Sequence, residues 1–80
     1  MTVTYEGGSR GHSVDSIDSA NSMVILEDRS QWHVYEGFAD VISRWQEGEM
    51  VTIKSNRDPE FPYKLVNVHQ NQSVEARYVA

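Results

Sequence analysis

Six short apolar runs, set roughly 8–12 residues apart and divided by turn-forming residues, leave this chain few folds to choose from. Strands are predicted over 13–17, 23–26, 31–35, 50–54, 63–68 and 73–79. Side chains alternate across a strand, so Trp32 and Val34 share one face, as do Val51 and Ile53, and Val74, Ala76 and Tyr78. Met23-Val24-Ile25-Leu26 is apolar throughout and reads as a buried strand. Between 38 and 46 the period changes: Phe38, Val41, Ile42 and Trp45 stand at i, i+3, i+4 and i+7, one face of a helix. Gly37 before it and Gly48 after it punctuate the stretch. About two turns of helix are unstable without packing, so a short α or 3-10 segment is expected to cover an open end of a sheet. The pattern suits a small antiparallel barrel or a sandwich. Closure into a barrel hides the sheet edges that invite pairing between chains.

Eighty residues hold one domain. Gly7, Gly8 and Gly11 with Ser9 mark 1–11 as a flexible lead-in, in which 2–5 offers an extra edge strand, and 12–80 is the barrel domain. The chain has no cysteine, which excludes disulfides, thiolate metal sites and a cysteine nucleophile. No apolar run approaches the roughly 20 residues of a membrane span, and no basic-then-apolar leader opens the chain. A cytoplasmic location without membrane contact is the resulting expectation.

The residues that carry chemistry elsewhere lack their context here. His12 precedes Asp15 and Asp18, but no second histidine completes a zinc spacing, and the aspartates lack a calcium-loop pattern. Gly7-Gly8-Ser9-Arg10-Gly11 ends in no Gly-Lys-Ser/Thr, and Gly-x-Ser-x-Gly is absent. His33, between core-facing Trp32 and Val34, points outward. His69 falls in the turn before the last strand. Neither an enzyme nor a cofactor or metal is expected. The net charge is −5, with twelve acids and seven bases. Residues 1–40 hold seven of those acids against Arg10 and Arg29. With no cluster of three basic residues, a phosphate-binding groove is disfavoured.

The run Ile25-Leu26-Glu27-Asp28-Arg29-Ser30-Gln31-Trp32-His33-Val34 resembles the ILEDGSxWxV hairpin of small, uncharacterised bacterial β proteins. Trp45, Gly48, Glu49, Val51 and Ile53 match the W-x-x-G-[DE]-x-V-x-I strand that follows in such proteins. Tyr63, Leu65 and Asn67 match a further Y-x-L-x-N. Arg29 departs from the pattern by standing where a turn glycine is usual. The resemblance spans about residues 12–79 and implies an SH3-like barrel with no assigned activity. The expected fold is therefore an all-β, SH3-like or OB-like barrel of five to six strands with one short α/3-10 segment near 38–46.

What remains is a binding surface. His33, Tyr35, Thr52 and Lys54 are expected on an outward face, and the loop 57–63 combines Arg57, Asp58, Glu60, Phe61 and Tyr63. Phe61 is read either as an exposed anchor, the side-chain type that dominates interface energetics, or as a lid folded over the barrel end. The expected partner surface thus comprises His33, Tyr35, Lys54, Arg57 and Phe61. The expected function is a non-enzymatic protein-interaction module, accessory or inhibitory, whose partner is another protein. The alternative is an OB- or SH3-like nucleic-acid binder. A homo-oligomer paired through a sheet edge is the third reading.

Overall fold

The computed structural model describes residues 5–80, so the edge strand expected at 2–5 lies almost wholly outside the described residues. Six strands form: β1 (His12–Asp18), β2 (Met23–Leu26), β3 (Gln31–Val34), β4 (Met50–Ser55), β5 (Tyr63–Asn67) and β6 (Gln72–Tyr78). A 3-10 turn at Ser19–Asn21 joins β1 to β2. A second at Glu36–Phe38 leads into the helix α1 (Ala39–Ile42). All neighbours are antiparallel and the barrel closes in the order β1-β2-β3-β6-β5-β4. It consists of two three-stranded meanders, joined β3 to β6 and β1 to β4. Every strand is paired on both sides, which removes the open edge that a sheet-edge dimer would use.

The β1–β4 seam is the short one, with only His12↔Val51 and Ser13↔Met50 in register. The backbone preceding β1 lengthens it, because Ile53 N–H donates to the Ser9 carbonyl at 2.8 Å. Gly11, at φ 80, supplies the left-handed bend that brings Ser9 alongside β4.

The alternation read from the sequence sets the core. Val14, Val24, Leu26, Trp32, Val34, Val51, Ile53, Leu65, Val74 and Ala76 are buried together, joined by Ile42 and Trp45 from the middle segment. That segment is the short mixed 3-10 and α stretch that its spacing predicts. The α-helix proper is one turn, and Ser43, Arg44 and Trp45 follow in bonds to Ala39, Val41 and Ile42. The four apolar side chains reach the core, with Phe38 and Val41 partly buried against it. Trp45 Nε1 donates to Gln72 Oε1 at 3.1 Å, which ties this plug to the start of β6.

The β2–β3 turn resolves the place of Arg29. Its N–H donates to the Leu26 carbonyl at 2.9 Å, and its φ is 71, the left-handed conformation a glycine takes without strain. Its side chain is exposed, with only a long 3.8 Å contact to Asp15. Arg29→Gly relieves that strain but adds backbone freedom to the unfolded chain. The net expectation is a rise in Tm of about 2–4 °C; an unchanged or lowered Tm in a thermal melt contradicts it.

Candidate functional site

Outside the barrel core, a second aromatic cluster lies on the outer wall of β3 and β6. The loop between β4 and β5 builds it by folding back on itself. Asn56 N–H donates to the Pro62 carbonyl and Asn56 Nδ2 to the Phe61 carbonyl, both at 2.8 Å. Asp58 Oδ1 accepts from the N–H groups of Glu60 and Phe61 at 2.8 and 3.3 Å, an aspartate turn around Pro59. Asn56 Nδ2 also donates to Glu75 Oε2 at 2.7 Å, which moors the loop to β6. The Phe61 side chain is thereby laid on the side of the barrel and is 7% exposed.

Three aromatic or cationic groups meet the Phe61 ring. His33 lies 6.0 Å away and Tyr35 5.5 Å away between ring centroids, and the Arg77 guanidinium carbon stands 5.5 Å from its centre. The strand register explains the meeting, since His33 is directly opposite Arg77 across the β3–β6 pair. Tyr35 follows β3, donates its N–H to the Glu75 carbonyl at 2.9 Å, and leaves a 49% exposed ring edge-on to both Phe61 and Phe38. Gly37 makes this placement available: a Cβ there would sit 2.8 Å from Tyr35 Cε2. Two adjoining shallow depressions result, of about 350 and 300 Å³. Tyr35, Glu60 and Phe61 are common to both, His33, Glu36 and Arg77 line the first, and Asp58 and Glu75 line the second.

The structure thus unites His33, Tyr35 and Phe61 of the expected surface and separates the other two. Lys54 lies on β4, diametrically opposite β3 with two strands between them in either direction round the barrel, so His33 and Tyr35 share no face with Lys54 or Thr52. Lys54 instead faces Lys64 across the β4–β5 pair. Arg57 is exposed at the start of the loop and lines neither depression. Phe61 is neither an exposed anchor nor a lid over the barrel end; the Asn56 and Asp58 bonds turn it onto the outer wall. Asp58 and Glu60 come from the loop singled out in the sequence, whereas Glu36, Glu75 and Arg77 were missed by sequence reasoning. The legible signal was an aromatic two residues before a glycine, Tyr35-Glu36-Gly37, beside outward positions of the last strand.

A different cluster closes the other end of the barrel. The stretch expected as a loose lead-in is, from Tyr5 onward, bonded to the barrel. The Tyr5 ring packs edge-on against Trp32 and Tyr78, at 4.9 and 5.1 Å, and its N–H donates to Tyr63 Oη at 3.0 Å. Its hydroxyl donates to Asp28 Oδ2 and lies 3.2 Å from His12 Nε2. His12, buried, places Nδ1 against both Glu27 carboxylate oxygens at 3.0 and 3.1 Å and Nε2 2.9 Å from the Gly8 carbonyl. The sequence pairs His12 with Asp15 and Asp18; the fold pairs it with Glu27 and Asp28 instead.

One nitrogen and two carboxylates of His12, Glu27 and Asp28 come within 4.8 Å of one another. Each is already engaged: Glu27 Oε1 accepts from Ser13 N–H, and Asp28 Oδ1 from the Ser30 N–H and hydroxyl. For Asp28, burial would raise the pKa, but the Ser30 and Tyr5 hydroxyls outweigh it and hold the carboxyl below its ordinary 3.8. Burial, reinforced by the bond and negative charge of Asp28, pushes the Tyr5 phenol above its ordinary 10.0. The cluster works as a clasp that fastens residues 5–12 to the β2–β3 turn.

Comparison with family models, with curated proteins and with solved structures gives no match. Among the described residues, no helix is long and apolar enough to cross a membrane.

Proposed function

We propose that this protein is a non-enzymatic interaction module that docks another protein through the β3–β6 outer wall and the loop 56–62. The observation that carries the reading is Tyr35. A large ring, half exposed yet braced by Gly37, Phe38 and Phe61, has already surrendered the freedom that binding would otherwise remove. Aromatic anchors of this kind, set beside a shallow depression with a polar rim, concentrate interface energy. The acidic balance of the chain agrees with a protein partner over nucleic acid. Lys54 beside Lys64, on a different wall, is the one directly opposed pair of Lys or Arg residues in the strand registers among the described residues, and two lysines fall short of a phosphate-binding groove.

The test is capture from nuclease-treated lysate with tagged wild-type chain, Tyr35→Ala and Lys54→Ala, washed at low and high salt. The expected result is a protein retained by wild type and Lys54→Ala and depleted about tenfold or more by Tyr35→Ala. Equal recovery by all three baits contradicts the assignment of the surface. Nucleic acid as the sole species recovered before nuclease treatment contradicts the class of partner.

A further inference from the structure

We infer that the occupant of the Tyr35 depression is an arginine side chain on a basic segment of the partner, seated against the Tyr35 ring between Glu36 and Glu60. The inference rests on the docking reading above and narrows it to one chemistry.

Charge is the first argument. Glu36, Asp58, Glu60 and Glu75 line the two depressions, with Arg77 the single full cation in the lining. Asp58 and Glu75 spend an oxygen each on the loop, whereas Glu36 and Glu60 make no ion pair among the described residues. Hydrogen-bond sense is the second. The four acidic side chains of the lining are carboxylates, which when ionised accept only. A lining dominated by acceptors suits a ligand made of donors, and guanidinium has five N–H groups and no acceptor.

The third argument is a precedent within the molecule. Arg77 already lies over the Phe61 ring, so the wall shows how it receives a guanidinium. Tyr35, next in the same cluster, keeps half its surface free for a second one. Arginine is favoured over lysine because its planar, weakly hydrated head stacks on a ring while its edge bonds a carboxylate, which a compact ammonium cannot do together. The ring is also held ready, since Gly37 lets it lie against the backbone of the 3-10 turn.

The test uses the full chain and three labelled peptides of equal length in which a Gly-Ser spacer alternates with Arg, Lys or Glu. Fluorescence anisotropy at low salt is expected to rank arginine about 3–5-fold tighter than lysine, with no binding of the glutamate peptide. Tyr35→Ala is expected to weaken the arginine peptide about tenfold and erase its advantage over lysine. Gly37→Ala leaves every charge in place but drives a methyl into the ring. With its circular dichroism unchanged, it is expected to erase the same advantage.

Glu36→Gln with Glu60→Gln should weaken both basic peptides more than Glu6→Gln, which removes a charge beside β4 instead. Equal binding of the arginine and lysine peptides overturns the inference, as does an arginine preference that survives both Tyr35→Ala and Gly37→Ala. The two readings fail separately. Tyr35-dependent capture of a cellular protein with silent peptides leaves docking intact and removes arginine. Tyr35-dependent arginine binding with no cellular protein captured leaves the cation site and removes the protein-docking reading.

Discussion

Trp32→Ala is expected to abolish cooperative folding. Trp32 is fully buried, at 0% exposure, and is the largest side chain buried so completely. Its ring meets Tyr5, Tyr63 and Tyr78 at 4.9, 5.3 and 5.3 Å, so it is the shared partner of three aromatics that close one end of the barrel. Its Nε1–H donates to Ser30 Oγ at 2.8 Å, and that hydroxyl donates on to Asp28. Truncation to alanine in such a core costs about 3–5 kcal/mol. That rivals the whole stability of a domain of this size, on the order of 4–12 kcal/mol. Trp32→Phe keeps a ring and loses only the indole donor and some volume, at about 1–2 kcal/mol. Thermal melts should therefore show no cooperative transition for the alanine variant and a lowered but sharp one for phenylalanine. A sharp transition for Trp32→Ala within about 10 °C of wild type contradicts this picture of the core.

The second large effect is expected at the clasp. His12→Ala removes a buried ring that contacts Glu27, Gly8 and Tyr5, and leaves the Gly8 carbonyl without that partner. The expected loss is about 2–3 kcal/mol in a urea titration. Tyr5→Phe keeps the edge-on packing, deletes the bond to Asp28, and changes the pH dependence in a direction that can be worked out.

Because the Asp28 carboxyl sits below its ordinary value, the native state binds fewer protons than the unfolded chain there. Its contribution is present above about pH 4 and is lost as pH falls through the folded-state value. The Tyr5 phenol sits above its ordinary value, so the native state holds that proton longer. Its contribution is complete below 10.0 and declines as pH rises past it. In Tyr5→Phe the alkaline decline should shrink. The acid decline should shrink only in part, because Ser30 still bonds Asp28. Glu49 titrates there too, held low by the Gln46 N–H and then by the Asn67 amide. An alkaline limb identical to wild type contradicts the assignment of the clasp.

Most of the fold was legible in the sequence because alternation has only one solution per strand. Met23–Leu26 was bounded to the residue, and Trp32, Val34, Val51, Ile53, Val74 and Ala76 were placed on the buried face by period alone. The middle segment follows from its own period: the spacing revealed which side chains are buried, and the short 3-10 and α stretch forms packed against the core.

The candidate site was half legible. His33 and Tyr35 follow from the parity of β3, but grouping them with Lys54 required knowing which strands adjoin. That order is fixed by closure of the two meanders and leaves no mark on any one strand. Phe61 depended on the bond from Asn56 to Glu75 that moors its loop to β6, and Tyr5 on a return across the barrel to Asp28. Both are long-range outcomes that local pattern does not encode.

The most direct measurement of the docking surface places a photo-crosslinking phenylalanine analogue at position 35 in one sample and at position 54 in another. Each is irradiated in lysate from cells that express the chain. The account predicts one discrete protein adduct from position 35 and none from position 54. An adduct from position 54 alone, or none from either, contradicts it.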